Sequence, residues 1–378
     1  MELIVVIVGI AIVYFLQVAI YRLYWDKELH LQLRFQRMPA REGESVRLQE
    51  TLTNGKSLPL PVFHVLMDIS RNGRPCLADL ENSGSSNFGT GGRRTWFLNE
   101  ILSLRGREEK KREIRIKGLK RGFYQIPEMK VTAANLFLTD SFPYEVDATT
   151  SLYVYPRVLS EAQWQPLLQF LEDMQIAKRY SYEDDFEIRG IREYQNFDPM
   201  KRVNWTASAR RGELQVNMME YVSNQQIMLV PIFDAESWER SLEEFREYTI
   251  SLTAGLAEFC LEQGIPVGLL CNGQDYQTNQ CLQMTPLGGR AGKEQILQGL
   301  SRLWFPRSMD SIEPLMEEYL QSSERMSGCT WLILDAEHSG SGEADRLAAL
   351  CKEYGQRCTI YRVQEFKDET EKRGREEA

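Results

Sequence analysis

From Leu3 to Ile20 the chain reads LIVVIVGIAIVYFLQVAI, with no charge and with Gln17 as its only strongly polar side chain. A run this apolar restricts what the chain can form. In lipid every backbone amide and carbonyl must be satisfied within the segment, so a lone span is helical. Extended through Tyr21, Leu23, Tyr24 and Trp25, the run reaches the ~20 residues that a bilayer core requires, and the aromatic residues fall where an interfacial belt belongs. Residues 1–25 are therefore expected to be a transmembrane anchor. A cleaved signal peptide is the rival, but Glu2 stands where a basic n-region would be and no small-residue cleavage site follows. A buried core helix suits the run poorly, because β-branched residues occupy all its faces. Arg22, Lys27, Arg34 and Arg37 follow the span, against Glu2 and the terminal amine before it. The positive-inside rule then places a single-pass protein in the cell membrane with its bulk in the cytoplasm.

The 378 residues leave room for two further domains, and a net charge of -9 argues against a general nucleic-acid binder. Seven cysteines, at 76, 260, 271, 281, 329, 351 and 358, show no Cys-x-x-Cys pairing and read as reduced core thiols.

Residues 28–157 read as a β domain. Leu29 to Phe35 alternates, Ser45 to Thr53 alternates again, and Asn54-Gly55 is a turn signal. Further strands are expected at Phe63 to Ile69, Arg94 to Leu98, Glu113 to Ile116 and Glu128 to Ala133. Strands joined by short turns suggest an antiparallel sandwich of immunoglobulin-like type. Ser83 to Gly92 reads as a flexible loop. In the basic run from Arg105 to Arg121, Ile114, Ile116 and Leu119 alternate with charges, which predicts a strand with one solvated face rather than a binding surface.

Residues 223–364 read differently. Ile227 to Phe233 is a buried strand, and Leu242, Phe245, Leu252, Leu256 and Phe259 then recur at helical spacing until Gly264. Ile265 to Leu270, Trp331 to Leu334 and Cys358 to Val363 are further strands, with helices at Lys293 to Leu303 and Glu343 to Tyr354. Buried strands alternating with amphipathic helices predict an α/β domain with a parallel sheet covered on both faces. The charged tail, 365–378, is expected to be disordered.

Between the two lies a linker and signature segment, 158–222, and its run from Arg192 to Leu214 fits neither helical nor strand periodicity. Arg192, Tyr194, Asp198, Pro199, Arg202, Asn204, Trp205, Ser208 and Arg210 crowd into it, so it builds a polar network or faces a partner. In one reading Asp198 pairs with Arg202 or Arg210 around Trp205 and docks one domain on the other, the reading favoured by the stability of an arginine stacked on indole. In the other, the same residues form an exposed surface. Asp198-Pro199, Arg202, Asn204-Trp205 and Ala207-Ser208-Ala209-Arg210 resemble, in order and spacing, the signature of the DUF58 family. Phe197 stands in place of a family glycine and Lys201 in place of an arginine. The resemblance extends from about Glu28 to Leu214 and more loosely beyond. It implies a multidomain α+β chain: an anchor, a sandwich, and a von Willebrand A-like, Rossmann-like domain. It also implies a partner, an AAA+ ATPase of the MoxR group.

In such domains a divalent cation, Mg2+ or Mn2+, is held by Asp-x-Ser-x-Ser after the first strand plus residues from later loops. Here Asp234-Ala235-Glu236-Ser237-Trp238 breaks that motif. Asp234, Glu236 and Asp335, with Thr285, remain candidate oxygen ligands, while a helix cap is the plainer expectation for Asp234. No cofactor is otherwise called for. The three histidines, His30, His64 and His338, suggest no catalytic pairing, and Gly288 to Glu294 lacks the Lys-Ser/Thr end of a phosphate loop. The chain is expected to be no enzyme but a membrane-tethered adaptor, with a cation-dependent ligand-binding protein or metal-dependent enzyme as the alternative.

Overall fold

The computed structural model describes residues 2–36, 38–75, 79–81, 97–160, 163, 165–167, 170, 187–195, 200, 203–220, 226–234, 240–306, 309, 311–321, 329–336 and 342–363. The expected loop at 83–92 and the charged tail lie outside them. The chain opens with the helix α1 (Glu2–Tyr24), and Leu3–Tyr24 is long and apolar enough to cross a bilayer. It ends against protein rather than in an aromatic belt. Tyr21 and Trp25 are 1% and 6% exposed, and only Tyr24 of the three aromatics faces outward. The expected belt is corrected on this point: Tyr14, Gln17, Tyr21 and Trp25 share one helical face, and that face packs on the β domain.

Strands β1 (Leu29–Phe35), β2 (Ala40–Arg41), β3 (Val46–Asn54), β4 (Leu60–Asp68), β5 (Ser70–Arg71), β6 (Arg74–Pro75), β7 (Asp79–Glu81), β8 (Phe97–Leu104), β9 (Glu108–Lys117), β10 (Gly122–Ala134) and β11 (Ser141–Tyr155) form two sheets. One runs β1-β3-β9-β7, the other β2-β11-β10-β4-β8, and every pairing is antiparallel except β2 with β11. Leu31, Leu48 and Ile116 from the first sheet share one core with Phe63, Met129 and Leu152 from the second. Period-2 patterning produces this, since alternate residues of each strand turn to the same side.

The solvated face expected in the basic run holds for Lys111, Glu113 and Arg115 but not for Arg112. Arg112 stands opposite Glu50 in the β3–β9 register, and its Nε donates to Glu50 Oε2 at 2.9 Å. Glu50 is fully buried, and its Oε1 has no hydrogen-bond partner among the described residues. Burial pushes the Glu50 carboxyl above its ordinary range, and the nearby Arg112 offsets this only in part. A carboxyl whose pKa is raised by folding favours the folded state at low pH. That advantage is lost as pH rises from the unfolded value, about 4.3, through the folded one. Glu50→Gln should therefore raise the melting temperature at neutral pH and leave it nearly unchanged near pH 4, as followed by circular dichroism.

The second half is built on β14 (Gln226–Phe233), β15 (Val267–Asp275), β16 (Cys281–Leu287), β17 (Leu303–Trp304), β18 (Cys329–Ala336) and β19 (Arg357–Arg362). Their order is β16-β15-β14-β18-β19, with β17 beside β15. β14, β15, β18 and β19 are mutually parallel, whereas β16 is an antiparallel edge that sequence patterning had not shown. Helices α3 (Arg240–Glu262) and α4 (Gly289–Arg302) cover one face, and α5 (Glu313–Gln321) and α6 (Glu343–Glu353) the other. Within β14, Leu229 and Phe233 turn to the first face and Met228, Val230 and Ile232 to the second. That two-sided burial is why the strand reads as an unbroken apolar run. The chain is thus mixed α/β with an apolar N-terminal helix. Of the six described cysteines, Cys260, Cys271, Cys329 and Cys351 are buried. Burial pushes the Cys271 and Cys329 thiols up to about 12, which makes them inert packing residues.

The two halves meet through charged side chains. Arg121, 3% exposed, directs its fork at Glu247 on α3, with Nε and Nη2 donating at 2.7 and 2.8 Å. Its Nη1 donates to the carbonyls of Leu300 and Leu303, the latter at 3.0 Å. Ser301 Oγ donates to Val154 O at 3.0 Å, and Arg41 pairs with Glu258, which Lys293 also reaches at 3.0 Å. A domain-docking network exists, but it joins the β10 hairpin and β11 to α3 and α4.

Candidate functional site

The signature segment folds into a small unit of its own. Strands β12 (Glu187–Glu193) and β13 (Gln215–Glu220) pair as an antiparallel ribbon, and the short helix α2 (Trp205–Arg211) lies between them in sequence. Asn204 starts the helix: its Oδ1 accepts from Ala207 N at 3.0 Å. That is the bond an N-cap asparagine supplies to an orphan amide. Gly212 ends it at φ 76, a left-handed conformation that glycine adopts without penalty. Ser208 is the pin. Its Oγ donates to Asn204 O and accepts from Gln215 N, each at 2.8 Å, tying the helix to the ribbon. Asn204 N to Gln215 O at 2.8 Å and Tyr194 N to Leu214 O at 2.9 Å complete the closure. Asn204 and Ser208 of the signature therefore shape the backbone, while Arg192 and Tyr194 are half-buried at the end of β12.

Trp205 does not sit inside this network. It is 63% exposed, Met200 is 56% exposed, and Ile191 and Leu214 are also open to solvent. The expectation of an indole buried in an ion-pair network is corrected by this. Trp205 stands at the first position of the short helix, and no described element covers it. Asp198, Pro199 and Arg202, with Phe197 and Lys201, lie outside the described residues, as does any pairing of Asp198 with Arg202. Arg210 is exposed, and with Arg211 and Asn204 it lines a cleft of about 290 Å3. Gln215 also lines this cleft, and its Nε2 and Oε1 are buried without a hydrogen-bond partner among the described residues.

The cation candidates are arranged less favourably. Asp234 follows β14 and Asp335 lies at the end of β18, so two acids do fall at the carboxyl ends of neighbouring parallel strands, where ligands of such sheets bind. Asp335, however, has Arg362 Nε 3.8 Å away, and Arg362 also reaches Asp345 at 3.5 Å. Asn272 pins β15 to the end of β14, accepting from Phe233 N at 3.0 Å and donating to Phe233 O at 2.8 Å. Thr285 falls at the wrong end of the sheet. It is exposed on β16 between Met284 and Leu287, which pair with Leu269 and Val267 near the start of β15. An antiparallel strand delivers its later residues to the amino end, and that removes Thr285 from the candidate set. Glu236 lies outside the described residues, and so does the link between Asp234 and the helix it was expected to cap. Among the described residues no group of three histidine, cysteine or acidic side chains is placed to hold a metal ion.

The fold and site thus define a mixed α/β chain with an apolar N-terminal helix, a two-sheet β domain and a helix-capped ribbon leading into a largely parallel sheet. Residues 190–346 match the model of the family described as "Protein of unknown function DUF58". The match begins in β12 and ends in α6. It leaves out the β domain, where the resemblance was read from about Glu28. No curated protein matches the chain. Among solved structures, the ASH/PapD-like domain 7 of human CEP192 is similar over 34% of this chain and 84% of its own, at 14% identity and a TM-score of 0.19. BslA, a bacterial hydrophobin, is similar over 34% and 96%, at 14% identity and a TM-score of 0.22. A CARDB domain from Pyrococcus furiosus, solved in complex with di-metal ions, is similar over 32% and 87%, at 16% identity and a TM-score of 0.20. Scores this low carry no functional argument.

Proposed function

We propose that this chain is a membrane-tethered, non-catalytic interaction protein whose signature unit is the surface a partner protein reads. The observation that carries this is the exposure of Trp205 and Met200 on a unit held together by Asn204 and Ser208. Tryptophan, methionine and arginine are the residues enriched where proteins bind one another. The cleft beside Arg210 and Arg211, lined also by Gln215, whose side-chain amide has no partner among the described residues, suits an acidic or amide-bearing side chain from that partner.

The anchor is α1, and the basic residues after it favour a cytoplasmic body. The shared core of the two sheets supports an immunoglobulin-like reading, and the parallel strand order supports a von Willebrand A-like one. Arg362 beside Asp335 counts against a cation-dependent role for the second domain. The resemblance to DUF58 relatives suggests a MoxR-type AAA+ ATPase as the partner. The test is crosslinked co-purification of the tagged full-length protein from its native membranes, with and without ATP, read by mass spectrometry. Recovery of an ATP-sensitive AAA+ ATPase is the expected result. Its absence, alongside Mg2+- or Mn2+-dependent stabilisation that Asp234→Ala abolishes, would overturn the reading in favour of a cation site.

A further inference from the structure

The loop that joins β10 to β11 carries Leu136, Phe137 and Leu138, which are 51%, 57% and 60% exposed. Three consecutive open apolar side chains at a loop tip are unusual on a soluble surface. Leu138 is held at φ 58, a conformation that bulky residues avoid. The residues flanking the tip, by contrast, bond one another. Asn135 is fully buried; its Oδ1 accepts from Thr139 N at 3.0 Å and its Nδ2 donates to Thr139 Oγ1 at 2.9 Å. Leu138 N donates to Asn135 O at 3.1 Å.

The tip lies against the middle of α1. Tyr14 OH donates to Thr139 Oγ1 at 3.1 Å, and the Tyr14 and Phe137 rings are 6.2 Å apart. At 1.5 Å per residue, Tyr14 is about 15 Å short of the helix end at Tyr24. Were the membrane to stop at the loop, Glu2 to Val13 would be left to span it, about 18 Å of helix against a core of ~30 Å. The helix crosses only if the residues beyond Tyr14 are immersed as well, and Phe137 goes in with them. Between helix and loop an apolar cleft of about 740 Å3 runs along Val6, Gly9, Ile10, Val13 and Phe137, and no described residue fills it.

We infer that the Leu136–Leu138 loop enters the same leaflet as the anchor, so that the β domain is wedged into the bilayer surface and lipid acyl chains fill the cleft beside α1. This rests on the reading of α1 as a membrane span. The test uses the full chain reconstituted in phosphatidylcholine–phosphatidylglycerol vesicles, with a benzophenone-bearing amino acid placed singly at Ile10, Phe137, Leu136 or Arg290. Lipid adducts after irradiation are measured by mass spectrometry. Adducts at Phe137 and Leu136 should be comparable to those at Ile10 and at least about tenfold above Arg290, a side chain 91% exposed on the distant α4. Adducts at Ile10 with background levels at both loop positions would overturn the wedge while leaving the anchor in place. Background levels at Ile10 would overturn the anchor, and the wedge with it.

Discussion

Arg121→Ala should cost about 3–5 kcal/mol of stability, the range for breaking a buried ion pair by removing one partner. The loss is larger than for a surface bridge because the guanidinium is 3% exposed and serves two halves of the molecule at once. Removing it leaves Glu247 facing a cavity and the carbonyls of Leu300 and Leu303 without their donor. Arg121→Lys should recover only part of the loss, since an ammonium cannot reproduce a two-pronged bond to a carboxylate. Urea unfolding of the full chain in detergent would show it, and the single transition of the parent should separate into two as the domains uncouple. Acid sensitivity provides an independent check. Burial pushes the Glu247 carboxyl up, but the Arg121 guanidinium outweighs this and holds it below the ordinary carboxylate range. A depressed carboxyl contributes stability above its unfolded value, about 4.3, and loses it as pH falls through the folded one. The parent should therefore weaken below about pH 4 by an increment that Arg121→Ala no longer shows.

Why this arginine was not legible in the chain is instructive. Its partner lies 126 positions away, and Arg121 sits at the end of a basic run whose alternate members do face water. Periodicity reports which side of an element is buried, but it does not tell which charges find a distant partner there. Elements with one strong period were legible: β1, β3 and β14 fall within a residue or two of their expected bounds, as do α3 and α6. What escaped was short or interrupted. β16 reads CLQMTPL, with a proline near its end, and α5 reads EPLMEEYLQ, too brief to establish a repeat. β16 also determined the fate of Thr285, because a residue's place at one end of a sheet depends on strand direction, which local sequence does not encode. The signature was legible as a unit of special chemistry but not in its sidedness. Asn204 and Gly212 mark the ends of α2 by residue type alone, whereas a helix of seven residues has too few turns to show in its sequence that Trp205 is exposed.

That sidedness separates two roles within one segment, and Trp205→Ala should display the separation. An indole 63% exposed contributes little to folding, so the unfolding free energy of the full chain should stay within about 0.5 kcal/mol of the parent. Binding of the recovered partner to the chain in nanodiscs should weaken by about 2 kcal/mol or more, roughly thirtyfold, as for a tryptophan at the centre of an interface. Asn204→Ala should behave in the opposite sense, costing about 1 kcal/mol of stability through the lost cap and disturbing binding only as the helix frays. Arg210→Ala, on the rim of the cleft, should mainly slow association and flatten its salt dependence, because an exposed charge steers approach more than it holds the complex. Were Trp205→Ala to melt early while binding at full strength, the indole would be structural, and the docking surface would have to be sought away from the signature.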